Sequence, residues 1–239
     1  MSPRLPSAPP RPVADSLVGR TLASDVLHRL RADLVEGALA PGMRLRFAEL
    51  RRHYGVSFGT LREALAHLVR EGLVVAEGQR GFRVAPVSAR DLADLIDAQT
   101  MIECRIMELA VLKGDQAWEE GVRRGIEALE ALRAESGAGY HLEPRWVAEH
   151  RSFHAALAAG CASPTLLELR ALLYERWQRY RQVLVRRGVR LPWTRDTHAA
   201  LADAALARDP ARAMHLLQEQ IRGSLEILMA QAEHLPAQG

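Results

Sequence analysis

YGVSFGTLREALAHLVREG, residues 54–72, carries its own start and stop. Gly55 suits a tight turn, Ser57 is an N-cap residue whose hydroxyl accepts an orphan helical N–H, and Gly72 suits the left-handed conformation that ends a helix. Between them Leu61, Leu65 and Leu68 recur on one side, while Gly59, Arg62, Glu63 and Ala66 fall on the other, near the N-terminal end. A helix that starts straight after a short turn, with an apolar back and a polar front, reads as the second half of a helix-turn-helix. Its front is the surface that would reach base edges.

The flanks agree with that reading. Upstream, Leu22, Val26, Leu30 and Leu34 mark an amphipathic helix over Thr21 to Glu36, which GALAPGMRL breaks before a short helix at Phe47 to His53. Downstream, LVVAEGQRGFRVAP holds two short β-rich runs around EGQRG, a hairpin with Arg80 at its tip beside the flexible Gly81. Three helices and a terminal hairpin over residues 20–86 predict a winged helix-turn-helix, whose third helix enters the major groove while the wing lies along the backbone or minor groove. Arg44, Arg46, Arg51, Arg52 and Arg80 are the expected phosphate contacts, and the face around Arg62 the expected reader of sequence. Charge supports this: residues 20–86 hold 11 Arg against 7 Asp and Glu, a local +4 in a chain of net +3. A basic front on a near-neutral remainder points to a polyanionic partner.

The 239 residues suffice for two modest domains, and 48% apolar with 26% charged residues is ordinary for a soluble globular protein. No apolar run approaches the roughly 20 residues of a membrane-spanning helix. The opening MSPRLPSAPPRPVADS lacks the apolar segment of a secretory signal, so residues 1–19 are expected to be a disordered tail and the protein cytoplasmic. Cys104 and Cys161 lie far apart and form no C-x-x-C pair, which argues against a disulfide framework or a cysteine zinc knuckle.

APGMRLRFAELRRHYGVSFGTLREALAHLVREGLVVAEGQRGFRV resembles the DNA-binding domain of the GntR family of bacterial transcription regulators. The matching pieces are the Pro-Gly before the second helix, the Gly-Val-Ser turn, Leu-Arg-Glu-Ala-Leu, the Glu-Gly-Leu-Val stop and the Arg-Gly wing. The resemblance implies DNA contacts from Ser57, Arg62, Arg80 and Gly81. Where many members carry Arg after the Ser, this chain has Phe58 and then Gly59, so its operator is expected to differ from the family's usual one.

Beyond residue 86 the pattern is helical throughout. Ser88 and Asp91 have the spacing of a capping box and open a long helix with Leu92, Leu95, Ile96, Gln99, Ile102, Ile106 and Leu109 on its inner side. Further helices are expected at Trp118–Ser136, Pro144–Ala159, Ser163–Gly188, Arg195–Ala207 and Pro210–His234, making residues 88–234 a six-helix antiparallel bundle. The fold class is mainly α. The bundle resembles the FCD ligand-binding domain of the FadR-like branch of the same family. HRSFHAALAAGCASPTLLELRALLYERWQRYR is most similar to that branch's carbon-starvation-induced regulators, which respond to small dicarboxylic acids.

In AEHRSFHAAL, residues 148–157, His150 and His154 are one turn apart on the stripe of Val147 and Leu157, and His198 lies on the inner stripe of a later helix with Leu201 and Ala205. Three imidazoles facing one interior could hold a divalent metal such as zinc, line a metal-free polar ligand pocket, or be plain core. A zinc protease is argued against by position: it needs Glu directly after the first His or before the second, where this chain has Arg151 and Phe153. In FCD domains an Asp, the His four residues on and two later histidines bind metal. The resemblance matches His154 and His198, with His150 standing for the Asp and Gln220 for the last His. It also implies that Arg105 faces the cavity and pairs with an organic acid, Glu103 or Glu108 being the alternative partner. The expectation is a ligand-responsive regulator, usually a repressor, that binds its double-stranded operator as a homodimer and answers to a small organic acid. The alternative is a metal-dependent hydrolase with an accessory DNA-binding domain.

Overall fold

Leu61, Leu65 and Leu68 are sealed from solvent on the back of the helix that opens at Phe58, as their spacing requires. The computed structural model describes residues 22–136, 144–186 and 197–231, which fall into two compact units. In chain order the elements are α1 (Leu22–Val35), β1 (Arg44–Leu45), α2 (Phe47–Tyr54), α3 (Phe58–Arg70), β2 (Val74–Ala76), β3 (Phe82–Val84), α4 (Ala89–Lys113), α5 (Gln116–Ser136), α6 (Pro144–Ala159), α7 (Pro164–Arg186), α8 (His198–Leu206) and α9 (Pro210–Ala230). The expected tail and residues 137–143, 187–196 and 232–239, with the ends expected for some of the later helices, lie outside the described residues.

The first unit is built on one apolar cluster in which Val26, Leu30 and Leu34 of α1 meet Leu50 and Tyr54 of α2 and Leu61, Leu65 and Leu68 of α3. Gly55 ends α2 at φ +68°, the left-handed conformation that a side chain disfavours, and so makes the sharp turn into α3. Tyr54 donates to Asp33 at 2.5 Å and Arg31 to Glu71 at 2.9 Å, fastening α1 to the other two helices. The hairpin of β2 and β3 turns through a 3-10 segment at Gly78–Arg80, and β1 adds a third strand, in the order β1-β3-β2. That third strand went unseen in the sequence because two residues show no alternation.

α7, read from the sequence as part of the bundle alone, contributes its C-terminal part from Glu175 to this first unit. Arg179 donates to the Ala85 carbonyl, and burial pushes its guanidinium down to about 10. The start of α4 is a modified capping box. Ser88 Oγ accepts from Asp91 N at 3.1 Å, as its spacing implies, but the reciprocal half is replaced: Ser88 N donates to the Tyr180 hydroxyl at 3.2 Å, and the Asp91 carboxylate accepts from Tyr180 and Arg176.

The second unit holds most of the six described helices α4 to α9 around a separate core that includes Ile106, Trp118, Phe153, Leu157, Leu201 and Leu217. Trp118 donates its indole N–H to the Leu157 carbonyl at 3.0 Å. Gly125 of α5 brings α6 in tightly, since a Cβ there would stand 3.2 Å from Phe153 Cα. Asp209 caps α9 by accepting from Arg212 N at 3.0 Å. These packings fix the face that α6 and α8 turn toward each other.

Candidate DNA-binding surface and histidine pocket

On α3, Ser57 accepts from Thr60 N at 3.2 Å and so starts the helix. Gly59, Arg62, Glu63 and Ala66 are exposed, the face that periodicity assigned to the outside. Arg44 is exposed on β1, Arg51 and Arg52 on α2, and Arg46 ahead of α2, 3.2 Å from Glu49. Arg80 is exposed at the wing tip, and Gly81 adopts φ +92° beside it. Arg83, which the sequence reading did not single out, holds the wing in shape: it donates to Glu77 at 2.7 Å and to the Gly42 carbonyl at 2.7 Å. That hydrogen bond, with the charges of Arg83, Arg44 and Arg80, keeps the Glu77 carboxyl below its ordinary value.

In the second unit, His150 and His154 of α6 and His198 of α8 come together. Their ring centroids are 4.5 Å apart for His150 and His154, 5.0 Å for His150 and His198, and 5.6 Å for His154 and His198. One nitrogen from each can be chosen so that all three lie within 4.8 Å of one another. Trp146 stacks on His150 at 4.5 Å, and Phe153 borders both His154 and His198. Burial lowers His198 to about 4, and burial, His198 and Arg170 together hold His154 well below the ordinary histidine value. Both rings are therefore neutral at physiological pH, the protonation state in which imidazole binds a metal. Gln220 is buried on α9 with neither amide atom hydrogen-bonded, and Gln99 Oε1 and Thr197 Oγ1 are likewise unsatisfied. Unpaired buried polar atoms are costly and rare.

The structure corrects one expected site residue. Arg105 does not face the interior: its side chain is 55% exposed on the outer side of α4 and pairs with Glu108. The buried Glu103 is paired instead with the half-buried Arg170 of α7, at 2.9 Å. Tyr180 is committed to Ser88 and Asp91, and Arg181 sits over the Trp177 ring at 5.1 Å. His215 is exposed beside Glu219. Among the described residues no helix is long and apolar enough to cross a membrane.

Comparison with known proteins accounts for both units. Residues 22–84 match the bacterial regulatory proteins of the gntR family, and residues 94–223 match the FCD domain. The chain is 37% identical to the HTH-type transcriptional regulator BphR of Paraburkholderia xenovorans, covering 92% of this chain and 89% of that one. It is 36% identical to the HTH-type transcriptional repressor GlaR of Escherichia coli, covering 83% and 92%. Among solved structures, E. coli McbR/YncC shares the fold with a TM-score of 0.69 at 24% identity, over 89% of this chain and 99% of that one. Relatives matched along nearly their whole length are regulators, which sets aside the hydrolase. The chain belongs to the GntR family of bacterial regulatory proteins and is a DNA-binding transcription regulator that carries an FCD domain.

Proposed function

We propose that the protein is a repressor that binds a pseudo-palindromic operator as a homodimer and is released by a small organic acid held in the histidine pocket. The observation that carries this reading is the group of three imidazoles, two of them held neutral by burial, in a unit whose Gln220 amide has no hydrogen-bond partner. Plain core would leave the Gln220 amide unsatisfied for no return.

The donor set fits a divalent metal such as zinc, with His150, His154 and His198 as its ligands. A metal there supplies positive charge and open positions for carboxylate oxygens. The Gln220 amide offers hydrogen bonds to the same acid. A dicarboxylate is the acid class we favour. Repression is supported by the likeness to GlaR, itself a repressor.

On DNA, Arg62 reads base edges, Ser57 and Gly59 lie at the leading end of the same helix, and Arg44, Arg46, Arg80 and Gly81 meet the backbone. The homodimer is supported by the outer stripe of α4, where Met101 and Leu112 are 73% and 63% exposed. α4 and α7 each have residues in both units.

The test is a thermal-shift panel of small mono- and dicarboxylic acids with and without zinc. The reading predicts an acid whose stabilisation is larger with metal present. No acid shifting the protein under either condition would refute the pocket.

A further inference from the structure

Phe58 is the first residue of α3, directly after the Ser57 cap, and although large and apolar it is 47% exposed. One face of its ring is fixed. It stacks on Phe47 with centroids 4.5 Å apart and planes at 29°, and Phe47 meets Phe82 of β3 edge-on at 5.8 Å. The rest of the ring is open to solvent. The next position is Gly59, where a Cβ would have only Ser57 Oγ near it, at 3.8 Å, so the backbone beside the ring is bare. One turn further on stands the exposed Arg62. The leading edge of α3 thus presents an anchored apolar ring, a strip of unobstructed backbone, and a guanidinium.

In a helix-turn-helix the N-terminal residues of the recognition helix are those that touch base edges. A phenyl ring can neither donate to nor accept from them, and in the major groove the apolar feature it can bury is the thymine C5-methyl group. A guanidinium one turn away is matched to guanine O6 and N7. The turn of about 5.4 Å between them corresponds to one or two base-pair steps of about 3.4 Å.

We propose that Phe58 is a specificity-determining residue that reads the methyl group of a thymine within two base pairs of the guanine bound by Arg62. This rests on the reading of α3 as the recognition helix. The Phe47 and Phe82 rings behind it are positioning residues that keep the free face pointed outward. Gly59 serves the same contact by letting the helix end approach the groove.

The experiment selects duplexes from a random-sequence pool with the full-length wild type, Phe58→Ala, Phe58→Leu and Arg62→Ala, then measures affinity for the wild-type consensus with each thymine replaced in turn by deoxyuridine. Wild type should lose about fourfold at one thymine, the worth of one buried methyl group. Phe58→Leu, which keeps an apolar side chain and guards against a folding artefact, should retain part of that penalty. Phe58→Ala should bind thymine and uracil equally at that position. A wild type indifferent to uracil everywhere, or a Phe58→Ala protein with the full penalty, overturns the inference while leaving α3 as the reader if Arg62→Ala still loses the preferred guanine. A wild type that enriches no sequence overturns the recognition-helix reading, and this inference with it.

Discussion

His150 and His154 sit on successive turns of α6 with ring centroids 4.5 Å apart, and His198 of α8 closes the group from a second helix. Because burial holds His198 at about 4 and His154 also well below the ordinary value, protons compete weakly for these nitrogens. Metal is expected to stay bound as pH falls through 6.5, where a free histidine protonates, and to leave only nearer 4. Elemental analysis of protein equilibrated across this range checks it. Release centred near 6.5 would mean that the rings are solvated and not buried.

The same shifts set the stability of the metal-free protein. The unfolded chain takes up these protons near 6.5, whereas the folded chain takes up that of His198 only near 4 and that of His154 well below the ordinary histidine value, so over that range the unfolded state binds more protons and stability falls as pH falls. His198 alone accounts for about 3 kcal/mol across that window. Urea unfolding of chelator-treated protein at several pH values should show the loss, reduced in His198→Asn. A flat profile from pH 7 to 4 would contradict the burial of the pocket.

Gln220 is buried with both amide atoms unpaired. Gln220→His adds a stronger metal donor at that position, and zinc affinity should rise by about tenfold or more, the range by which supporting groups around a metal site act. Competition with a fluorescent zinc chelator measures it. An unchanged affinity would place Gln220 away from the metal.

Arg62 and Arg80 should fail differently. Arg62→Ala should cost about 1–3 kcal/mol on the preferred duplex and relax its sequence preference, as for a lost base contact. Arg80→Ala should weaken binding to every duplex alike and lower the slope of log affinity against log salt by about one. Fluorescence anisotropy over a salt series separates the two, and the same behaviour from both variants would contradict the division of roles.

Tyr180 closes the modified cap of α4, accepting from Ser88 N and donating to Asp91. Tyr180→Phe leaves that amide without its partner and the carboxylate with Arg176 alone, and should cost about 1–3 kcal/mol of unfolding free energy. A loss below a few tenths would show the hydroxyl to be replaceable by water.

Sequence periodicity was most informative where caps and stripes act within one helix. Ser57, Gly55 and the Leu61, Leu65, Leu68 stripe each encode a local event, and all three stand as their spacing implied. The pairing of His150 and His154 was legible for the same reason, being one turn of one helix. Arg105 shows the limit of the resemblance, which alone had turned it inward. Gln99, Glu103, Ile106 and Ala110 line the inner side of α4 and Met101, Arg105, Glu108 and Leu112 the outer, so Glu103 and Arg105, two residues apart, fall on opposite sides of the helix. The pairing of Glu103 with Arg170 joins residues far apart in sequence and had no local signature. The strand β1 was invisible because its only evidence is the partner it finds in β3.

The central claim is that the histidine pocket controls release from DNA without taking part in DNA binding. Its most direct test is the affinity of wild type and His154→Ala for a selected operator duplex, titrated with the stabilising acid in the presence of zinc. The account predicts equal affinity without the acid, release of the wild type as the acid is added, and retention of His154→Ala on the duplex. Release of both proteins at the same acid concentration would contradict it.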